Sequence, residues 1–416
     1  MEREQQVAGN NKTIWIINQY ASHLMTRHEE LSKSFSAQGY NVAVITSSFH
    51  HGRREYMYGD PVVFEEPFEN VTYVYLHSGP SYQSNGAGRI FNMIDFCRLI
   101  GRHRDEIAER VGRPAFVIAS SAPPFVWETG YKVAKKFKAK FIAEFRDIWP
   151  MSLVDIQGVS PGHPLVKMLE VVEKRAYKRA DAIVSTMPHA WKHVLEVAKV
   201  PREKVHWMPN GINVSDVEAC LESDMELPAD LKEYLSDHWC GVYIGSVVKS
   251  ECLDYILRGI SKVKDPDIYY AIIGEGHEKE NIMQLASELG LDKVRFFPAI
   301  DKRLIPKALG MAKLCFAAHN DLPIYHYGLS MNKLNDYLAS GIPTVFACNA
   351  DSIVREAGHF AIPMGDEQQF ADTVEKIKKL DGEELAALHR SASDIIRRDY
   401  DYPEIGKKYL SMMEAL

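Results

Sequence analysis

The chain has 416 residues, 46% of them hydrophobic and 25% charged, the proportions of an ordinary soluble globular protein. That balance, over a length that suits two or three domains, excludes long disorder, a collagen-like repeat and a small disulfide scaffold. The net charge of −7 hides an asymmetry: residues 1–210 carry 27 Lys and Arg against 22 Asp and Glu, whereas residues 211–416 carry 22 against 34. A basic half followed by an acidic half implies two domains with different partners.

Residues 1–12 are polar and lack the apolar core of a leader peptide, which predicts a disordered tail. The first strand is expected at 13–17 (TIWII). Further apolar, β-branched runs follow at 42–46, 71–76, 116–120, 140–145, 182–185 and 205–208. Between them lie stretches of helical periodicity, among them 24–38, 89–110 and 164–180. Pro209-Asn210-Gly211 is a strong turn signal. The rhythm then resumes, with runs at 242–245, 268–273, 294–297, 314–318 and 344–347. Strands alternating with amphipathic helices predict an α/β protein whose parallel sheets are covered on both faces. Two such series predict two doubly wound domains, at 13–210 and 211–400, followed by a C-terminal helix over 401–416 that packs back on the first. No apolar run approaches the ~18 residues that cross a bilayer. The best candidate, 116–127, is broken by Ser120, Ser121, Pro123 and Pro124.

In open α/β sheets, ligands bind beyond the carboxyl ends of the strands. The six cysteines form no C-x-x-C pair and the sixteen histidines no H-E-x-x-H motif, so no metal site is expected. Gly274-Glu275-Gly276 follows a strand and opens a helix, but the third glycine of a dinucleotide fingerprint is missing. A phosphate or sugar near that helix start is the remaining ligand reading. The D-x-D triplets Asp265-Pro266-Asp267 and Asp399-Tyr400-Asp401 read as structural. Basic residues crowd into two clusters: Arg89, Arg98, Arg102, Arg104, Arg110 and Arg113, then Lys132, Lys135, Lys136, Lys138 and Lys140. They read either as solvated helix faces or as contacts for lipid headgroups or phosphates. No nucleic-acid motif accompanies them.

The strongest signal is residues 325–343, YHYGLSMNKLNDYLASGIP. A Gly/Ser loop opens a helix with Lys333 in its first turn and Asp336 three residues on, along the same face. Backbone N–H groups at that helix start attract an anion. Lys333 adds positive charge, and Asp336 can accept hydrogen bonds from a ribose diol. The plainer alternative is a capped surface helix with an i, i+3 ion pair.

The segment resembles the nucleotide-sugar site of retaining glycosyltransferases of family 4, which have the GT-B fold. Their E-A-M-A-x-G-x-P pattern is similar to Asp336-Tyr337-Leu338-Ala339-Ser340-Gly341-Ile342-Pro343. YGLSMNKLNDYLASGIP looks more like the form in bacterial O-antigen, capsule and exopolysaccharide transferases, which resemble fucosamine transferases. The likeness extends over about 13–400. It includes Asn18-Gln19-Tyr20, the set Tyr82, Asn85, Gly86, Arg89, Asn92 and Met93, the run Glu144-Phe145-Arg146-Asp147-Ile148-Trp149-Pro150, and the linker Met208-Pro209-Asn210-Gly211. The chain also departs from the family. Gly328 stands where an E-x7-E motif has its first glutamate, Ser246 where Arg is usual, and Lys249 is off the usual spacing.

The resemblance implies two Rossmann-like domains facing across a cleft, the first binding acceptor and the second nucleotide sugar. It implies transfer of a hexosyl group from a nucleotide diphosphate, UDP-linked, to a lipid-linked saccharide such as a polyprenyl-diphosphate acceptor. The setting it implies is surface polysaccharide synthesis. Configuration would be retained, without a metal or cofactor, the nucleotide sugar being a substrate. It assigns Glu144, Arg146 and Asp147 to catalysis, against the plainer reading of an internal ion-pair network. It assigns Gly245, Ser246, Lys249, Glu275, Gly328, Ser330, Asn332, Lys333 and Asp336 to the donor. Asn18, Tyr20, Arg27, Asn85 and Arg89 fall to the acceptor. The implied location is cytoplasmic, peripheral at the inner membrane, held by the basic first domain with Ile90, Phe91, Ile94 and Phe96 available for shallow insertion. Nucleic acid is not an expected partner. An epimerase of the same fold and a non-catalytic partner subunit are the competing readings.

Overall fold

The computed structural model describes residues 12–22, 26–84 and 86–416. The expected tail, apart from Lys12, and the acceptor candidate Asn85 lie outside the described residues. The chain forms two compact units, residues 1–209 with 405–416 and residues 210–404.

Among the described residues the first unit has ten strands: β1 Thr13–Ile17, β2 Asn41–Ser47, β3 Phe49–His50, β4 Glu55–Tyr56, β5 Val62–Phe68, β6 Val71–Leu76, β7 Phe116–Ser120, β8 Lys140–Phe145, β9 Ala182–Ser185 and β10 Val205–Trp207. Eight of them form one sheet in the order β10-β9-β8-β7-β1-β2-β6-β5, while β3 and β4 pair as a separate small ribbon. All neighbours in the large sheet run parallel except β5, which is antiparallel to β6. Every residue of β1 is buried, as are the last four of β7 and the last five of β8. Helices cover both faces, so apolar runs rather than alternation mark these strands.

The second unit has six strands: β11 Trp239–Ile244, β12 Ile268–Ile273, β13 Val294–Phe297, β14 Leu314–Ala318, β15 Thr344–Ala347 and β16 Phe360–Ile362. Their order is β13-β12-β11-β14-β15-β16, and all are parallel. Numbered within the unit this is 3-2-1-4-5-6, the dinucleotide-binding order, whose direction reverses between β11 and β14. Two apolar clusters cover the two faces. Val242, Ile244 and Ala317 point to one, and Tyr243, Ile272 and Phe316 to the other.

Strands β5 and β16 escape sequence reading for physical reasons. Strand β5 (VVFEEPF) holds two glutamates, a proline and a register shift between Glu65 and Phe68. An edge strand tolerates all three because one side has no ladder to maintain. Strand β16 has three residues, too few for any periodicity.

Candidate functional site

The crevice between β11 and β14 opens because their pairing ends early, at Gly241 with Leu314 and Val242 with Cys315. Beyond that point the Ile244 backbone has no β14 partner. The Tyr337 side chain replaces it: its OH accepts from Ile244 N–H at 2.8 Å and donates to Ile244 C=O at 3.2 Å. Tyr337 lies in the helix Asn332–Ala339, so this pair of bonds fixes the helix to the end of β11. Asn335 adds a bond from Nδ2 to Asn210 C=O at 2.9 Å.

A cavity of about 360 Å³ occupies this crevice. It is lined by Gly245, Ser246, Glu251, His319, Met331, Asn332, Lys333 and Asp336 among others. Five of the nine donor candidates therefore converge: Gly245, Ser246, Asn332, Lys333 and Asp336. Glu251 and His319 were not anticipated. His319 is the first residue after β14, a position that the strand-end rule singles out. Glu251 lies in the short turn Lys249–Glu251, where no pattern marks it.

The plainer alternative, an i, i+3 ion pair between Lys333 and Asp336, does not form; Lys333 has another partner. Lys333 Nζ pairs with Glu251 and donates to Tyr243 OH at 2.8 Å. Burial lowers the Lys333 pKa, opposed by the Glu251 charge. The Asp336 carboxyl makes no hydrogen bond or ion pair among the described residues. Its surroundings push its carboxyl up to about 6, against the opposing charge of Lys302. His319 is nearly buried, at 7% exposure, and burial lowers its pKa. Its Nδ1 donates to Asn320 C=O at 3.2 Å, which leaves Nε2 as the acceptor of a neutral ring.

The other four donor candidates do not line this cavity. Lys249 is exposed and does not line the cavity. Glu275 is also exposed and is paired with Lys279 at 2.7 Å. Gly328 ends the preceding turn at φ 98°, and Ser330 receives Asn210 N–H at 2.9 Å on its hydroxyl. Both hold the loop rather than line the cavity. The two glycines around Glu275 serve packing. A Cβ on Gly274 would sit 1.8 Å from Gly245 O, and one on Gly276 2.0 Å from Val247 O. Their absence lets the β12 loop lie against the β11 loop, where Val247 N–H meets Glu275 C=O at 2.9 Å.

In the first unit the sheet order reverses between β1 and β7. Asn18, just past β1, donates from Nδ2 to Ser120 C=O at 2.9 Å and is 1% exposed. Glu144 at the end of β8 is wholly buried. It takes Arg27 at 2.9 Å, His28 at 3.2 Å, Ser120 at 2.8 Å and Tyr409 at 3.4 Å. Burial alone would raise its pKa. Arg27 and His28 outweigh that and hold it well below the usual carboxylate range. Arg27 also donates to Pro209 C=O at 2.5 Å. Glu144, assigned to catalysis, and Asn18 and Arg27, assigned to the acceptor, thus sit inside the first unit rather than at its surface. These groups are buried and bonded, and the internal network is the reading the geometry favours.

Arg146, half-buried, donates from Nε to Ser121 C=O at 3.2 Å, and Asp147 is exposed just beyond it. Tyr20 and Arg89 meet at the surface, with Arg89 Nε 3.3 Å from Tyr20 OH. His51 and Tyr82 join them: the His51 and Tyr20 rings are 5.0 Å apart, and His51 Nδ1 lies 2.7 Å from Tyr82 OH. Sequence reading missed His51.

Two family models match the chain. The glycosyl transferase 4-like domain covers residues 25–211, and the glycosyl transferases group 1 model covers 235–394. Each falls on one of the two units. The chain is a family 4 glycosyltransferase of the GT-B type. Among curated proteins it is similar to WcaI of Escherichia coli K12, named as a colanic acid biosynthesis glycosyl transferase, with 20% identity over 207 residues. That match takes in 49% of this chain and 51% of WcaI, so the chain spans about half the length of the curated relative it matches. Among solved structures, sucrose-phosphate synthase from Thermosynechococcus elongatus superposes with a TM-score of 0.71 at 15% identity, covering 97% of this chain and 98% of that one. Anabaena HepE in complex with UDP and glucose gives 0.64 at 12%, covering 97% and 100%. This glycosyltransferase thus shares its fold with proteins of low sequence identity.

Proposed function

We propose that this glycosyltransferase moves a sugar from a UDP-linked donor to a saccharide carried on a polyprenyl diphosphate. The reading includes retention of configuration and no metal ion. The observation that carries it is the cavity between β11 and β14, where an ammonium, a helix start and an unpaired carboxyl meet at the direction reversal of a 3-2-1-4-5-6 sheet. That is the place and the chemistry for a nucleoside diphosphate. The UDP bound to HepE and the pathway named for WcaI support the choice of donor and setting.

Negative charge builds on the diphosphate as the glycosidic bond breaks. Groups held in place before the reaction stabilise that charge best. Lys333 is such a group, fixed by Glu251 and Tyr243. The helix Asn332–Ala339 has no side-chain cap, so its first N–H groups point outward as donors. Asp336, one turn on, accepts from the ribose diol. The departing phosphate oxygen takes the acceptor proton on the same face of the sugar. That route needs no second carboxylate of the kind a glycoside hydrolase employs. Arg146 and Asp147, at the end of β8, orient the acceptor together with Tyr20 and Arg89.

The test is UDP release from a panel of UDP-sugars, with and without a membrane lipid extract. Release that requires the extract supports transfer. A changed sugar without acceptor would indicate an epimerase, and no turnover with any nucleotide sugar would remove the reading.

A further inference from the structure

The charged and imidazole side chains of the β11–β14 cavity fall into two sets. Asp336 answers to the charge of Lys302. His319 answers to Glu251 and Lys333, and Lys333 is paired with Glu251. Lys333 therefore stands between Asp336, one turn along its own helix, and the pair formed by Glu251 and His319.

The backbone sets that pair side by side. His319 follows β14 directly, and Glu251 ends the turn Lys249–Glu251. Asn320 N–H donates to Ser250 C=O at 3.1 Å, which ties the two loops together, and His319 N–H donates to Ala347 C=O at 3.0 Å. The Tyr325 ring meets the imidazole edge to face at 4.3 Å. With Nδ1 donating to Asn320 C=O, the ring is fixed, and Nε2 makes no hydrogen bond among the described residues. Glu251 is 9% exposed. Its carboxylate has about four lone-pair positions, and Lys333 occupies one of them.

Both groups accept hydrogen bonds. The phenol beside them, Tyr243, already donates to Ser246 C=O at 2.7 Å. Among the described residues, Lys333 is the one cationic side chain that lines the cavity, since burial keeps His319 neutral. Its charge is shared with Glu251, and a diphosphate draws on the same ammonium.

We propose that Glu251 and His319 recognise the sugar of the donor and select a neutral hexose over a uronic acid. The hydroxyls of a neutral sugar donate to the Glu251 carboxylate and to His319 Nε2. A uronate adds a third anion beside Glu251 and the diphosphate, with no cation left to receive it. An unpaired like charge is a means of rejecting the wrong ligand, and inside a cavity it acts more strongly than in open water. The inference rests on the nucleotide-diphosphate reading of this cavity and adds the class of sugar. Ribose at Asp336, diphosphate at Lys333 and sugar at Glu251 and His319 then follow the order of groups in the donor itself.

The experiment is calorimetric binding of UDP, UDP-glucose, UDP-galactose and UDP-glucuronate to the full chain without acceptor, each affinity expressed relative to UDP. Wild type binds UDP-glucuronate about tenfold or more weakly than the better of the two hexoses. Glu251→Gln keeps the size of the side chain and removes its charge, so the gap narrows to within about threefold through stronger uronate binding. His319→Ala removes an acceptor and lowers the hexose affinity relative to UDP by about tenfold. A merely structural role for either residue would weaken all four ligands alike and leave these ratios in place. Circular dichroism checks the fold of both variants, and the other variant decides if one does not fold. Equal affinity of wild type for hexose and uronate overturns the inference. A gap that persists in Glu251→Gln overturns it too, as does a hexose-to-UDP ratio that His319→Ala leaves unmoved. In each of those cases UDP still binds and the donor reading stands. Failure of UDP itself to bind wild type removes the donor reading, and the sugar selection falls with it.

Discussion

Glu144 and Asp336 are carboxylates in opposite circumstances. Glu144 is enclosed and fully bonded, and its charge is matched by Arg27. Removing one partner of such a pair leaves the other charge buried and uncompensated. Glu144→Ala is therefore expected to cost about 3–5 kcal/mol of stability, measured by urea unfolding. Full stability with lost turnover would restore a direct catalytic role. Asp336 is unpaired, and its carboxyl stands at about 6 against an ordinary 3.8. A raised acid contributes stability that is complete below its unfolded value and lost as pH rises through about 6. Donor binding has the opposite sign, because a ribose diol needs the ionised acceptor. UDP affinity should rise as pH passes through about 6 and flatten in Asp336→Asn. At neutral pH Asp336→Ala should weaken UDP binding by about 1–3 kcal/mol. Calorimetry across that range checks both, and unchanged affinity would remove Asp336 from the site. Spacing made Lys333 and Asp336 legible as neighbours. It could not supply Glu251, which reaches Lys333 from 82 positions away.

The elements around the cavity are held by a few specific contacts. Tyr337 satisfies both backbone groups of Ile244 where β14 has turned aside. Tyr337→Phe leaves them without that partner in a buried place, so it should cost about 1–3 kcal/mol. The same change should weaken UDP binding, because Lys333 and Asp336 ride on the released helix. Thermal unfolding and calorimetry would show whether the two losses go together. Gly276→Ala should act from the other wall. Its Cβ would meet Val247 O at 2.0 Å, forcing the loop after β11 away at about 1–3 kcal/mol. A variant as stable as wild type, with equal UDP affinity, would refute that role. Buried parallel strands were readable as apolar runs. The purpose of Gly274 and Gly276 was not, because a close approach between two loops leaves no local pattern.

At the scale of the whole molecule, the chain leaves the first unit at Pro209 and returns to it at Ile405. The returning segment is embedded in that unit. Tyr409 is fully buried, its ring 5.6 Å from that of Phe35 and its OH 3.4 Å from Glu144. Gly406 lies so close that a Cβ would be 2.4 Å from Ser34 Cβ. Tyr40 OH donates to Glu414 at 2.8 Å. The last helix therefore completes the core that holds Arg27 and Glu144. Loss of a single large buried side chain costs about 2–5 kcal/mol, and truncation after Glu404 removes Tyr409, Leu410 and Met413 together. That total is comparable to the ~5–15 kcal/mol stability of a typical domain. The truncated chain should lose the cooperative unfolding of its first unit, while residues 210–404, which contain the whole lining of the β11–β14 cavity, should still bind UDP. Calorimetric unfolding with and without UDP would resolve the two units. If truncation leaves both transitions in place, the returning helix is an accessory to the first unit rather than part of its core.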